Sequence, residues 1–193
     1  MDELAHLRPP AALPEIIDRT AALAFPMPSE PRTGAMLRML AATKPGGRLL
    51  ELGTGTGLSA AWLLDGMDAG ATLITVDIDP VVQAVARHAL GGDKRLTIVT
   101  ADAAVFLAQQ APESFDLIFA DAMAGKYEHL DAALALLRPG GIYVIDDMLP
   151  QDNWPENHAA KVPVLIRDLS SRSELRAVSL AWSSGLMLVA RRS

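Results

Sequence analysis

The run Glu51-Leu52-Gly53-Thr54-Gly55-Thr56-Gly57 follows a short apolar stretch at 48–52 and precedes a helix-forming stretch that begins at Leu58. A strand, a glycine-rich turn and a helix in that order place a tight turn beneath a helix N-terminus. Glycines at 53, 55 and 57 let the backbone bend and approach a ligand that a Cβ would exclude, while the first helical amides point at it. Asp77 closes the next apolar run, 72–77, at the position where an acid meets a ribose in nucleotide-binding folds.

Outward from this turn the chain alternates. Near-continuously apolar runs at 48–52, 72–77, 95–100, 115–120 and 141–146 read as strands covered on both faces, hence as a parallel sheet. Between them, 58–66, 80–90, 103–110 and 127–137 read as helices bounded by proline, glycine or an acidic cap, with Asp79-Pro80 the clearest start signal. Strand-helix repeats imply right-handed crossovers and a doubly wound sheet. The last forty residues break the rhythm: a helix at about 156–171, interrupted or kinked at Pro163, precedes strand-like runs at 175–182 and 185–190 that read as a hairpin. Residues 11–25 and 31–43 read as two helices joined by a stiff segment carrying Pro26, Pro28 and Pro31, placed to cover the glycine turn. The expected architecture is one domain over 1–193. It has about seven strands, mostly parallel with an antiparallel C-terminal hairpin, helices on both faces, and a helical cap at 1–43.

Composition narrows the function classes. With 193 residues and 50% hydrophobic content, the chain has enough apolar surface for one core. Lys plus Arg total 17 against 23 acids, a net charge of -6, which argues against a phosphate-neutralising surface and so against nucleic acid. The absence of cysteine removes disulfides, thiolate metal sites and cysteine nucleophiles, and fits a reducing compartment such as the cytoplasm. No stretch approaches eighteen continuous apolar residues, so no membrane role is expected.

The ligand is read from charge. Dinucleotide enzymes use G-x-G-x-x-G, with pyrophosphate on the helix N-terminus and no acid aimed at it. Here glycines fall at every second position and Glu51 sits in the last turn of the strand. Further acids end the successive strands: Asp77, Asp102, Asp121, and Asp146 with Asp147. That rim repels pyrophosphate and matches a ligand carrying an ammonium, a sulfonium and a ribose.

These motifs resemble class I S-adenosylmethionine-dependent methyltransferases. The stretches Leu73-Ile74-Thr75-Val76-Asp77-Ile78-Asp79-Pro80, Phe115-Asp116-Leu117-Ile118-Phe119-Ala120-Asp121-Ala122 and Leu137-Arg138-Pro139-Gly140-Gly141 with Asp146-Asp147 resemble the catechol and caffeoyl-CoA O-methyltransferase superfamily over roughly residues 30–150. The resemblance implies methyl transfer from S-adenosylmethionine to a hydroxyl of a small, aromatic or catechol-like acceptor. It implies that Glu51, Gly53, Thr54, Gly55, Gly57 and Ser59 hold the methionine portion and that Asp77, with Ile78 beside it, binds the ribose. Asp102 with Ala103 would meet the adenine edge, although Asp102 is equally a helix cap, and Ser59 equally an ordinary first-turn residue. Asp121 would face both cofactor and acceptor. Homodimerisation is a further implication.

The same resemblance implies Mg2+ or another divalent cation on Asp121, Asp146 and Asp147, with aspartate at 147 where the family has asparagine. The alternative is a metal-free cluster in which Asp121 contacts the cofactor and Asp146 ends its strand. The family pattern D-A-x-K-x-x-Y departs here as well: Asp121-Ala122-Met123-Ala124-Gly125-Lys126-Tyr127 places Ala124 in the lysine's position. Lys126 either swings into the site as a catalytic group or is solvated. Met27, Met123, Met148 and Trp154 are candidates for an apolar wall; His129 and His158 read as helix-surface residues, and Arg32 as a conceivable grip on an anionic acceptor. Two other classes compete: a binding-only protein, which fits the displaced lysine, and a nicotinamide-dependent oxidoreductase, which the acidic rim disfavours.

Overall fold

A computed structural model describes residues 7–151, 154 and 157–193. The parallel strands are β1 (Arg48–Leu52), β2 (Thr72–Asp77), β3 (Leu96–Thr100), β4 (Phe115–Ala120) and β5 (Leu137–Ile145), followed by β6 (Leu175–Leu180) and β7 (Leu186–Arg191). They form one sheet in the order β3-β2-β1-β4-β5-β7-β6, with β7 antiparallel to both neighbours. Side chains alternate between the two faces as the period of a strand requires. Leu49, Leu117, Phe119 and Val144 join one apolar cluster, whereas Leu50, Ile118, Tyr143 and Ile145 join another.

Helices cover both clusters. On the first face lie α1 (Leu13–Ala22), α2 (Pro31–Ala42), α3 (Leu58–Gly66) and α4 (Pro80–Leu90); on the second lie α5 (Ala103–Ala108), α6 (Leu130–Ala135) and α7 (His158–Ser171). Asp79 caps α4 through the Val81 and Val82 amides, and Asp102 caps α5 through Ala104 and Val105. These are the uses a short acidic side chain has at a helix start. Among the described residues, no helix is long and apolar enough to cross a membrane.

Three local expectations shift. The helix expected at 127–137 contracts to α6, because Gly125 (φ +81) and His129 (φ +55) take left-handed conformations that keep this stretch a loop. β5 begins at Leu137 opposite Phe115 and then slips in register so that Leu117 faces Ile142, bulging the Pro139-Gly140 segment, where proline has no amide to give a ladder. Pro163 lies inside α7 without ending it. The expected start of that helix at Glu156 lies outside the described residues.

The α2–α3 contact is the tightest seam of the first face. Gly34 faces Trp62, and a Cβ on Gly34 would stand 2.2 Å from the Trp62 ring, which is itself fully packed. Overpacking such a seam costs about 1–3 kcal/mol. A Gly34→Ala protein should therefore melt roughly 3–10 °C lower than the parent; an unchanged melting temperature by calorimetry would show that Trp62 is free to move.

Candidate active site

The winding of the chain reverses between the parallel neighbours β1 and β4: α3 follows β1 onto one face and α6 follows β4 onto the other. A crevice opens at the carboxyl ends of strands flanking such a switch. Here it is a cavity of about 380 Å³ whose lining includes Gly53, Thr54, Gly55, Asp77, Asp121 and Lys126.

The glycine turn forms one side. Gly57 has φ +93, and its missing Cβ lets the start of α3 sit against Ala86, whose own Cβ would otherwise lie 2.7 Å away. The Gly55 amide donates to Asp77 Oδ2 at 2.8 Å, and the Asp79 amide to Asp77 Oδ1 at 3.0 Å. Each carboxylate oxygen keeps acceptor capacity for a ligand hydroxyl. Beneath the turn Glu51 is fully buried. Its Oε2 accepts from Thr75 Oγ1 at 2.5 Å, which meets Thr54 Oγ1, which in turn accepts from Gln83. Oε1 has no hydrogen-bond partner of ordinary geometry. Burial pushes the Glu51 carboxyl up to about 7, more than the nearby Ser59 and Thr75 hydroxyls draw it down. An unsatisfied buried carboxylate beneath a ligand turn is a ready partner for a cation.

Opposite lies the acidic cluster. Asp121 Oδ2 accepts from Ser29 Oγ at 3.0 Å. Asp146 Oδ1 accepts from Ser184 Oγ and from the Asp147 amide. Burial, together with the neighbouring Asp146 charge, raises the Asp121 carboxyl well above the usual range; burial raises Asp146 to about 6. Lys126 is not solvated but 2% exposed, its Nζ 3.4 Å from Asp147 Oδ2 and 3.8 Å from Asp121 Oδ1. Left-handed Gly125 turns the chain back, and the buried Tyr143 hydroxyl donates to the Gly125 carbonyl at 2.7 Å, which fixes that turn. A Cβ at Gly125 would stand 2.6 Å from Leu52 and 2.7 Å from Tyr143 Oη.

The outer wall brings together Phe25, Met27, Met123, Trp154 and His158. His158 is 5% exposed rather than on a helix surface: it meets the Tyr127 hydroxyl at 3.1 Å and stacks on Trp154 at 4.4 Å. Burial, and then Lys126, lower its pKa. Met148 belongs to the second apolar cluster and does not line the cavity. Arg32 lies over the Trp182 ring, away from the cavity lining. His129, at the start of α6, is exposed as expected. Glu51, Gly57 and Ser59 underlie the turn, whereas Ile78, Asp102 and Ala103 stand outside the cavity lining, Asp102 in its capping role.

Residues 50–148 match the family model of a methyltransferase domain. A provisionally named O-methyltransferase of Mycolicibacterium vanbaalenii is 31% identical over 171 residues, 83% of this chain and 76% of that protein. The chain belongs to the S-adenosylmethionine-dependent O-methyltransferase family. A like-named Mycobacterium avium relative is 36% identical over 120 residues, a match that spans 60% of this chain and about half, 54%, of that protein. The O-methyltransferase TomG of Streptomyces achromogenes, solved in complex with S-adenosylmethionine, shares the fold at TM-score 0.80 and 24% identity, covering 95% of this chain and 90% of that one.

In this O-methyltransferase the donors do not fit the divalent cation that the resemblance implies. Magnesium needs oxygen ligands at about 2.0–2.1 Å in octahedral array. Instead an ammonium lies between Asp121 and Asp147, and Asp146 Oδ1 is engaged by Ser184 and a backbone amide. Among the described residues, no three acids or histidines are placed to share an ion.

Glu51 gives this methyltransferase a pH-dependent stability. Its carboxyl titrates near 7 when folded against an ordinary 4.5, so the native state binds the proton more readily than the unfolded state. Its contribution is therefore most favourable below about pH 4.5 and declines as pH rises to about 7, by about 3 kcal/mol in all. Glu51→Gln should remove that decline. Urea denaturation of parent and variant at pH 5 and pH 8 checks it, and equal pH dependence would show that Glu51 is ionised throughout.

Proposed function

We propose that this chain transfers the methyl group of S-adenosylmethionine to a hydroxyl of a small planar acceptor, of which catechols are one kind. The observation that supports the reading is a glycine turn tied to Asp77 at the crevice, with the buried Glu51, one of whose oxygens has no hydrogen-bond partner of ordinary geometry, directly beneath that turn. The two acids offer acceptors to a ribose and a countercharge to an aminoacyl sulfonium. A pyrophosphate would meet the same acids as repulsion, which sets aside the nicotinamide reading.

In this reading the Gly53–Gly57 backbone and Ser59 hold the methionine portion and Asp77 the ribose, while Ile78, Asp102 and Ala103, outside the cavity lining, meet the ribose and the adenine edge where the cofactor extends past the rim. When bound, the cofactor supplies an electrophilic methyl: an acceptor oxygen forms the new C–O bond as the C–S bond breaks, and the bonding pair leaves on sulfur. The chain's own work is alignment and exclusion of water. Met27, Met123 and Trp154 offer a flat apolar wall to a ring. Lys126, lining the cavity, faces the acceptor oxygen and favours its negative charge, and the hydroxyl proton passes to Asp121.

Loss of the ribose-binding carboxylate tests the cofactor half directly. Asp77→Ala should weaken S-adenosylmethionine binding at least about tenfold by calorimetry, since hydrogen bonds to a charged group contribute about 1.5–3 kcal/mol. Unaltered affinity, or failure of the parent to bind the cofactor, would overturn this assignment. Methyl transfer to a panel of small phenols and catechols, read by mass spectrometry, tests the acceptor half.

A further inference from the structure

Lys126 is the one lysine or arginine among the described residues whose side chain is buried. A buried ammonium is expensive unless it is paired and hydrogen-bonded, and two structural devices keep it in place: the left-handed turn at Gly125 and the Tyr143 hydroxyl on the Gly125 carbonyl. Its Nζ stands between carboxylates from two strand ends, Asp121 after β4 and Asp147 after β5. The third carboxylate, Asp146, already receives two hydrogen bonds, and Asp121 receives one from Ser29. The cluster of three acids thus already holds one cation that the chain carries itself.

We infer that the Lys126 ammonium does the work of a divalent cation in this site, and that the acceptor is held through one oxygen rather than a chelating pair. This rests on the methyl-transfer reading given above. A metal that templates an acceptor has open coordination positions to fill and draws in two vicinal oxygens. A lysine has three N–H donors. One is donated to Asp147 at 3.4 Å, Asp121 lies farther off at 3.8 Å as an ion-pair partner, and the N–H groups left over can reach an oxygen in the cavity that Lys126 lines. An ammonium can stabilise negative charge on that oxygen through one hydrogen bond and imposes no second contact. The acceptor class is therefore a ring bearing a single reactive hydroxyl, and a neighbouring hydroxyl is dispensable.

Manganese titration followed by electron paramagnetic resonance tests the inference without relying on turnover. The wild-type protein, saturated with S-adenosylhomocysteine and assayed with and without 3,4-dihydroxybenzoate, should leave Mn2+ free up to about 1 mM. The Lys126→Ala protein, with its carboxylates released, should bind the ion at least about tenfold more tightly. Mn2+ bound by the wild type at micromolar concentration, or none bound by the folded variant, overturns the inference. If the variant does not fold, the wild-type titration decides alone.

With any acceptor that is methylated, turnover should be unchanged in excess chelator, and a monohydroxylated ring should react within about tenfold of its vicinal diol. A chelator-dependent rate or an absolute need for the diol overturns it. Should the protein bind S-adenosylmethionine yet methylate nothing, the methyl-transfer reading fails while the manganese result stands on its own.

Discussion

The hydrogen bond from the Gly55 amide to the Asp77 carboxylate joins the end of β1 to the end of β2, and the remainder of the site is arranged about it. It holds the glycine turn open above the buried chain Glu51, Thr75, Thr54 and Gln83, and it fixes Asp77 with acceptor capacity to spare. The parallel sheet makes this possible: every strand from β1 to β5 delivers its C-terminal residue to the same edge. A chain that ends each strand in an acid accumulates charge there. Such a rim is tolerable only where cations offset it, as Lys126 does on one side of the crevice and a sulfonium would on the other.

Much of this was legible along the chain because it is periodic or local. The strands are short, near-continuously apolar runs, the glycines mark a turn that only they accommodate, and Asp79 and Asp102 cap the helices that begin at the next residue. The acids at 77, 121, 146 and 147 could be placed at one edge by counting strands alone. Likewise, the hairpin announced itself through two β-rich runs near the C-terminus.

What escaped depends on contacts between distant segments. Lys126 reads as displaced, because its direction is set by a left-handed glycine and by Tyr143, seventeen positions beyond Lys126 and on another strand. His158 reads as a surface residue until Trp154 and Tyr127 close over it. Ser29 and Ser184 carry no motif at all, yet each bonds a cluster carboxylate from far away in sequence. Met148 shows the reverse: adjacent to the cluster in sequence, it turns into the core instead.

The Thr20 hydroxyl donates to Thr56 Oγ1 at 2.8 Å, and Phe25 lies 3.4 Å from where a Cβ on Gly55 would stand. The segment after α1 thus roofs the glycine turn, and Ser29 ties the same segment to Asp121. A ligand seated on that turn would be enclosed by residues 20–30 on one side and by strand ends on the other. One wall of the crevice is therefore supplied by a short proline-stiffened segment near the beginning of the chain, tied by two side-chain hydrogen bonds to a turn and a strand end that lie far from it in sequence.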